Sequence, residues 1–189
     1  MIEDMKEGLP PGQTETKRFP VLSIDSIPFF DGKNWDVFVE GEVLHPKKFS
    51  WQEFLSLPSA IITSDFHCVT SWSRLDNVWE GVLMKTIADM VTITSRAHNA
   101  TVFSEGFYST SLTVDEILDN DVLLAYTHDG KPLAPEHGGP LRLVVPKKYA
   151  YKSVKWVRRI LFTKEKELGF WETRGYSDSA DPWKEEKYS

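Results

Sequence analysis

The feature that most restricts the fold is that every regular pattern in the chain is short. "WDVFVEGEV", from Trp35, sets Val37 and Val39 against Asp36, Phe38 and Glu40 with a period of two, the signature of a strand buried on one face. "SWQEFLSLP" opens with Ser50 and carries Glu53 three residues on, a capping box for a short helix that Pro58 ends. "AIITSDF" reads as a buried strand leading directly into Cys68, and "GVLMKTIADMV" places Val82, Ile87, Met90 and Val91 on one helical face. "ATVFSEGFYSTSL" is strand-like and interrupted by Gly106. Thr113 and Glu116 form a second capping box, for the helix "VDEILDN". "VLLAY", "LRLVV" and "VKWVRRILF" are further strands, split by the Gly- and Pro-rich loop "THDGKPLAPEHGGP". Short strands and short helices mixed without a βαβ period imply an α+β domain with much β.

Residues 1–15, polar and carrying Pro10, Pro11 and Gly12, read as a flexible arm, and residues 16–189 as one domain. With 41% apolar residues in 189, the chain can bury a sizeable core. The charged tail keeps Trp171, Tyr176, Trp183 and Tyr188, so it should lie on the domain by those aromatics. A net charge of −6 argues against nucleic acid or an anionic membrane as the main partner. No apolar run reaches the length of a membrane span, and the first residues lack a secretory or twin-arginine signal. With a single cysteine, the expected compartment is a reducing cytoplasm.

That cysteine, Cys68, stands in "SDFHCVTSWSRLDNVWEGV" and admits three readings. It is a buried core residue, a nucleophile, or a soft thiolate ligand to a metal. His67 is badly placed to deprotonate it, because neighbours on an extended chain face opposite ways. One cysteine is too few for a metal site built by the protein alone, so the other ligands would come from a cofactor. From His137 to Lys164 the chain has no acid, yet carries Arg142, Lys147, Lys148, Lys152, Lys155, Arg158, Arg159 and Lys164. Gly138 and Gly139 leave room for a ligand to approach the backbone there, and Ser153 adds a hydroxyl. The run is either a clamp for a phosphorylated cofactor or a solvated basic strand pair.

"HCVTSWSRLDNVWEGV" and "HGGPLRLVVPKKYAYKSVKW", in this order, resemble the oxidoreductase molybdopterin-binding domain family, and the likeness runs over roughly residues 16–185. It implies a sulfite oxidase-like, β-rich fold and a molybdenum–molybdopterin cofactor whose metal is ligated by Cys68. It also implies pterin and phosphate contacts at His137, Arg142, Ser153, Val154 and Lys155. By the same resemblance, Ser104 or Glu105, at the end of the "ATVFSE" strand, and Arg18 in the N-terminal segment would be further cofactor contacts. Trp72 and Trp79 would wall the pocket. Arg74 and Tyr176, with His67 and Arg174 near them, would border the substrate side, so Cys68, Arg74 and Tyr176 form the catalytic set. The implied activity is two-electron oxygen-atom or electron transfer on a small substrate. The chain has no counterpart of the haem, flavin or dimerisation domains of the larger members, so electrons would pass to or from a separate carrier. The competing reading is a non-catalytic cofactor carrier or interaction domain on the same fold.

Overall fold

The computed structural model describes residues 8–189. In chain order the elements are β1 (Thr14–Glu15), β2 (Asp36–Gly41), β3 (Lys47–Ser50), α1 (Trp51–Leu55), β4 (Ala60–Cys68), β5 (Trp72–Leu83), α2 (Met84–Val91), β6 (Asn99–Ser104), β7 (Ser109–Thr113), α3 (Val114–Ile117), β8 (Leu123–His128), β9 (Lys131–Pro132), β10 (Arg142–Val144) and β11 (Val157–Thr163). Two mixed sheets carry them. One runs β1-β5-β8-β10, with β4 paired on β5 and β9 on β8; the other runs β3-β2-β11-β6-β7. The class is α+β, as the short patterns imply.

Local chemistry explains the elements. Val37 and Val39 are fully buried while Phe38 is exposed, so β2 turns one face to the core. Each such valine contributes about 1.5–3 kcal/mol of burial. Both capping boxes form: the Ser50 hydroxyl accepts from Glu53 N and the Thr113 hydroxyl from Glu116 N, with each glutamate carboxylate accepting from its cap backbone. Helix α2 begins at Met84, later than the periodicity implies, because Gly81–Leu83 belong to β5. A Cβ on Gly81 would meet the Leu124 carbonyl oxygen at 2.1 Å, so the close pairing of β5 with β8 requires glycine there. The main core lies around Val82, Ile87, Val102, Leu124, Leu143 and Ile160. A second cluster gathers Phe66, Trp79, Leu123, Ala125, Leu133 and Val144.

The segment read as a flexible arm differs from that reading. Its first seven residues lie outside the described ones, but Leu9 is buried and Thr14–Glu15 pair in parallel with Trp72 and Ser73. The Gln13 side chain explains the anchoring, since it donates to the Cys68 carbonyl at 3.2 Å and accepts from the Ser73 hydroxyl at 3.0 Å. In the tail, Trp171 packs on Tyr176 and Tyr176 on Tyr188, with ring centroids 4.8 and 5.2 Å apart. Among the described residues no helix is long and apolar enough to cross a membrane.

Candidate cofactor and active site

The sequence between β4 and β5 folds into a tight turn that presents Cys68. Cys68 and Trp72 are register partners, Ser71 N donates to the Cys68 carbonyl at 3.0 Å, and Ser71 takes a left-handed φ of 72°. The Cys68 side chain lines a cavity of about 340 Å³ and is only 6% exposed. Its Sγ lies 3.1 Å from the Thr70 hydroxyl, which is on the same wall. His67 points elsewhere: its Nδ1 lies 2.8 Å from the Ser73 hydroxyl, its ring packs edge-on against Trp183, and burial lowers its pKa. The alternation of an extended chain therefore separates His67 from the thiol.

The basic motif supplies another wall of this cavity. Arg142 on β10 is 2% exposed; its Nη1 donates to the His137 carbonyl at 2.8 Å and its Nη2 to the Ser153 carbonyl at 3.1 Å, while Nε has no partner. Burial among Phe19, Phe66 and Trp79 brings its pKa down to about 9. Lys155 donates to the carbonyls of Leu22 at 2.8 Å and Glu136 at 2.7 Å. Desolvation, and then repulsion from Arg142, lower its pKa to about 8. His137 stacks on Phe19 with centroids 4.2 Å apart, and desolvation followed by the two neighbouring cations lowers its pKa.

The other cations of the acid-free run are neutralised by acids from distant parts of the chain. Lys147 pairs with Asp119, Lys148 with Glu116, Lys152 with Glu172, Arg158 with Asp36 and Glu105, and Arg159 with Glu40. Lys164 lies near Glu165. Arg142 and Lys155 have no carboxylate partner among the described residues. The acid on the cavity wall, Asp25, is occupied by the backbone amides of Ser26 and Phe107. A buried and a half-buried cation without counter-charge, and an orphaned Arg142 Nε, leave the cavity short of an anion. A phosphate-bearing cofactor fits that demand. Among the described residues no group of three or more His, Cys, Asp or Glu is placed to hold a metal ion.

Of the residues expected at the site, the cavity brings together Cys68, Ser104, His137, Arg142, Ser153, Lys155 and Tyr176. Trp72 lines it as well. The remaining expectations are corrected by packing. Arg74 is drawn away by Asp129, whose carboxylate lies 2.5 Å from its Nη2, and it also donates to Asn77. Glu105 sits 3.3 Å from Arg158, Val154 is fully buried in the core, and Arg18 is exposed beside Phe19, which lines the cavity in its place. Trp79 packs edge-on behind Phe19 at 6.0 Å. Arg174 lies over the Phe170 ring and donates to the Phe170 carbonyl. The room left by the two glycines is taken by the protein itself. A Cβ on Gly138, where φ is 108°, would meet Lys155 and Arg142 Cβ at 3.0 and 3.1 Å, and one on Gly139 would meet the Leu133 carbonyl at 2.1 Å.

Tyr108, Tyr151 and Trp171 also line the cavity without any local sequence signal. The Tyr108 hydroxyl donates to the Tyr151 carbonyl and the Tyr151 hydroxyl to the Ser177 carbonyl, each at 2.5 Å. Desolvation raises the pKa of both, and to a lesser degree that of Tyr176, so these hydroxyls stay protonated.

The chain is similar to several known oxidoreductases. An uncharacterized oxidoreductase, YuiH of Bacillus subtilis, is 42% identical over 187 residues, covering 98% of this chain and 94% of that protein. The catalytic subunit of the protein-methionine-sulfoxide reductase MsrP of Campylobacter jejuni is 31% identical over 166 residues, 79% of this chain and 56% of that protein. An inducible nitrate reductase of Glycine max is 28% identical over 74% of this chain, which spans only 19% of that enzyme. The sulfane dehydrogenase SoxCD of Paracoccus pantotrophus shares the fold over 74% of this chain and 40% of its own, with a TM-score of 0.67 at 21% identity. The family described as the oxidoreductase molybdopterin binding domain matches residues 24–171, and the chain belongs to that family.

Proposed function

We propose that this chain is a molybdenum-cofactor oxidoreductase in which Cys68 is the protein ligand of the metal. One observation carries the reading: the single thiol and the two cations left without carboxylates, Arg142 and Lys155, face one cavity. When bound, the molybdenum–pterin group supplies the two-electron redox change that oxygen-atom transfer requires. Everything else is the work of the chain. Arg142 and Lys155 would hold the phosphate end by charge-assisted hydrogen bonds, and the carbonyls of His137 and Ser153, and of Leu22 and Glu136, fix their direction. Trp72, Tyr108 and Trp171 wall the cavity and limit water. Tyr176, protonated and partly exposed, offers a donor to a small substrate at the open side. Electrons pass to or from a separate carrier protein.

Expression in a host that makes the cofactor tests the reading. The purified protein should contain molybdenum and pterin in equal amounts, and its metal signal should cycle when reduced by a viologen dye and reoxidised. Protein without metal would refute cofactor binding. Metal that does not cycle would make the chain a carrier.

A further inference from the structure

We propose that Thr70 is a positioning residue for the metal-ligating sulfur: its hydroxyl donates a hydrogen bond to Cys68 Sγ and thereby sets the redox potential of the bound metal. The inference rests on the reading above that Cys68 is the ligand.

The geometry is specific. Thr70 Oγ1 lies 3.1 Å from Cys68 Sγ, and both atoms belong to residues of the cavity wall. The turn that holds them has little freedom. Ser71 N closes it onto the Cys68 carbonyl at 3.0 Å, and the Gln13 side chain donates to the same carbonyl at 3.2 Å. Thr14 N donates to the Ser71 carbonyl at 3.0 Å, and Lys187 Nζ lies 3.4 Å from the Ser71 hydroxyl. The N-terminal segment and the tail thus clamp from outside the turn that sets Thr70 beside the sulfur.

Beside a thiol the hydroxyl can donate or accept. Beside a ligating thiolate, which only accepts, it must donate. A hydrogen bond to a ligand sulfur draws electron density from it, weakens its donation to the metal and favours the reduced state. Cys68 itself is only 6% exposed, so its sulfur is largely screened from bulk water. Thr70 is exposed at the cavity rim, so replacing it does not open a hole in the core.

The test uses the cofactor-loaded protein and the variants Thr70→Val, Thr70→Ala, Thr70→Ser and Cys68→Ser. Molybdenum content, thermal midpoint, the sulfur-to-metal charge-transfer band and the midpoint potential are measured for each. In Thr70→Val and Thr70→Ala the metal content and thermal midpoint should stay at the parent values, while the potential shifts negative and the band moves to lower energy. Thr70→Ser should restore both. An unchanged band and potential in Thr70→Val and Thr70→Ala, with the band lost in Cys68→Ser, would overturn the role of Thr70 and leave ligation by Cys68 intact. A Cys68→Ser protein that keeps the band would overturn both.

Discussion

Lys152 Nζ lies 2.7 Å from Glu172 Oε1, and neither side chain is more than 1% exposed. The same ammonium donates to the Ser111 carbonyl at 2.8 Å, and Glu172 also accepts from the Thr110 hydroxyl and Ser111 N. This pair fastens the tail turn that carries Trp171 and Tyr176 onto β7. Lys152 also reaches the part-exposed Asp178 at 3.3 Å, but removing Glu172 leaves the buried ammonium only that longer contact, so Glu172→Ala should lose about 3–5 kcal/mol of stability in denaturant unfolding. The double change Lys152→Met/Glu172→Leu, with no charge left to strand, should lose much less. Equal losses in the two would mean that the pair is not the source of the effect.

Lys155 joins the cavity to the strap above it. Residues 17–30 make no backbone–backbone hydrogen bond to other described residues; the strap is held by Lys155 at Leu22 and by Asp25 at Phe107. Phe29 in this strap is 88% exposed. Amide exchange should therefore be faster here than at the cavity residues of β4 and β10. Lys155→Ala should speed it further and lower the pterin content, since a charged hydrogen bond is worth about 1.5–3 kcal/mol. Slow exchange in the parent or normal pterin content in the variant would contradict this.

The two cavity cations give a pH signature. Lys155 titrates at about 8 in the folded protein and near 10.5 when unfolded, so between those values the unfolded chain holds more protons. The stability of anion-free protein should accordingly rise with pH across that window, and Arg142, at about 9, adds to the rise in its upper part. An anion that needs both charges should bind less tightly as pH passes 8. Thermal midpoints taken without and with inorganic pyrophosphate should show a stabilisation by the anion that shrinks with rising pH. A gap that stays constant, or a slope unchanged in Lys155→Met, would count against these assignments.

Arg74 behaves as a structural residue in this account. It ties the β5 bend to the loop after β8 through Asp129, and Asn77, which accepts from it, is fully buried. Arg74→Gln should cost about 1–3 kcal/mol of stability, the usual penalty for leaving such groups unpaired. KM should stay unchanged for anionic and neutral substrates alike. A selective rise in KM for anions would return Arg74 to the substrate side.

What the sequence reveals follows the range of the interactions involved. The caps at Ser50 and Thr113 and the alternation at Val37 and Val39 are local, and they form as read. The strand Trp72–Leu83 escapes notice because its buried face carries Ser73, Asn77 and Gly81 beside Trp79 instead of an apolar series, and its pairing with three other strands is set from elsewhere in the chain. Cys68, His137, Arg142, Ser153, Lys155, Ser104 and Tyr176 line one cavity. Which cations stay free is not legible. Lys148 meets Glu116 across 32 positions and Arg158 meets Asp36 across 122, and only the fold brings those acids near. Phe19, Tyr108 and Tyr151 are hidden for the same reason, since each lies in the cavity by long-range packing.

The central claim is ligation of the metal by Cys68, and X-ray absorption at molybdenum tests it most directly. Loaded parent protein and Cys68→Ser, matched for molybdenum and pterin content, should differ by one sulfur in the metal's first shell. Redox activity should be lost with that sulfur, while the phosphate contacts at Arg142 and Lys155 keep the cofactor bound. An identical sulfur count in the two proteins, with activity retained, would contradict the account.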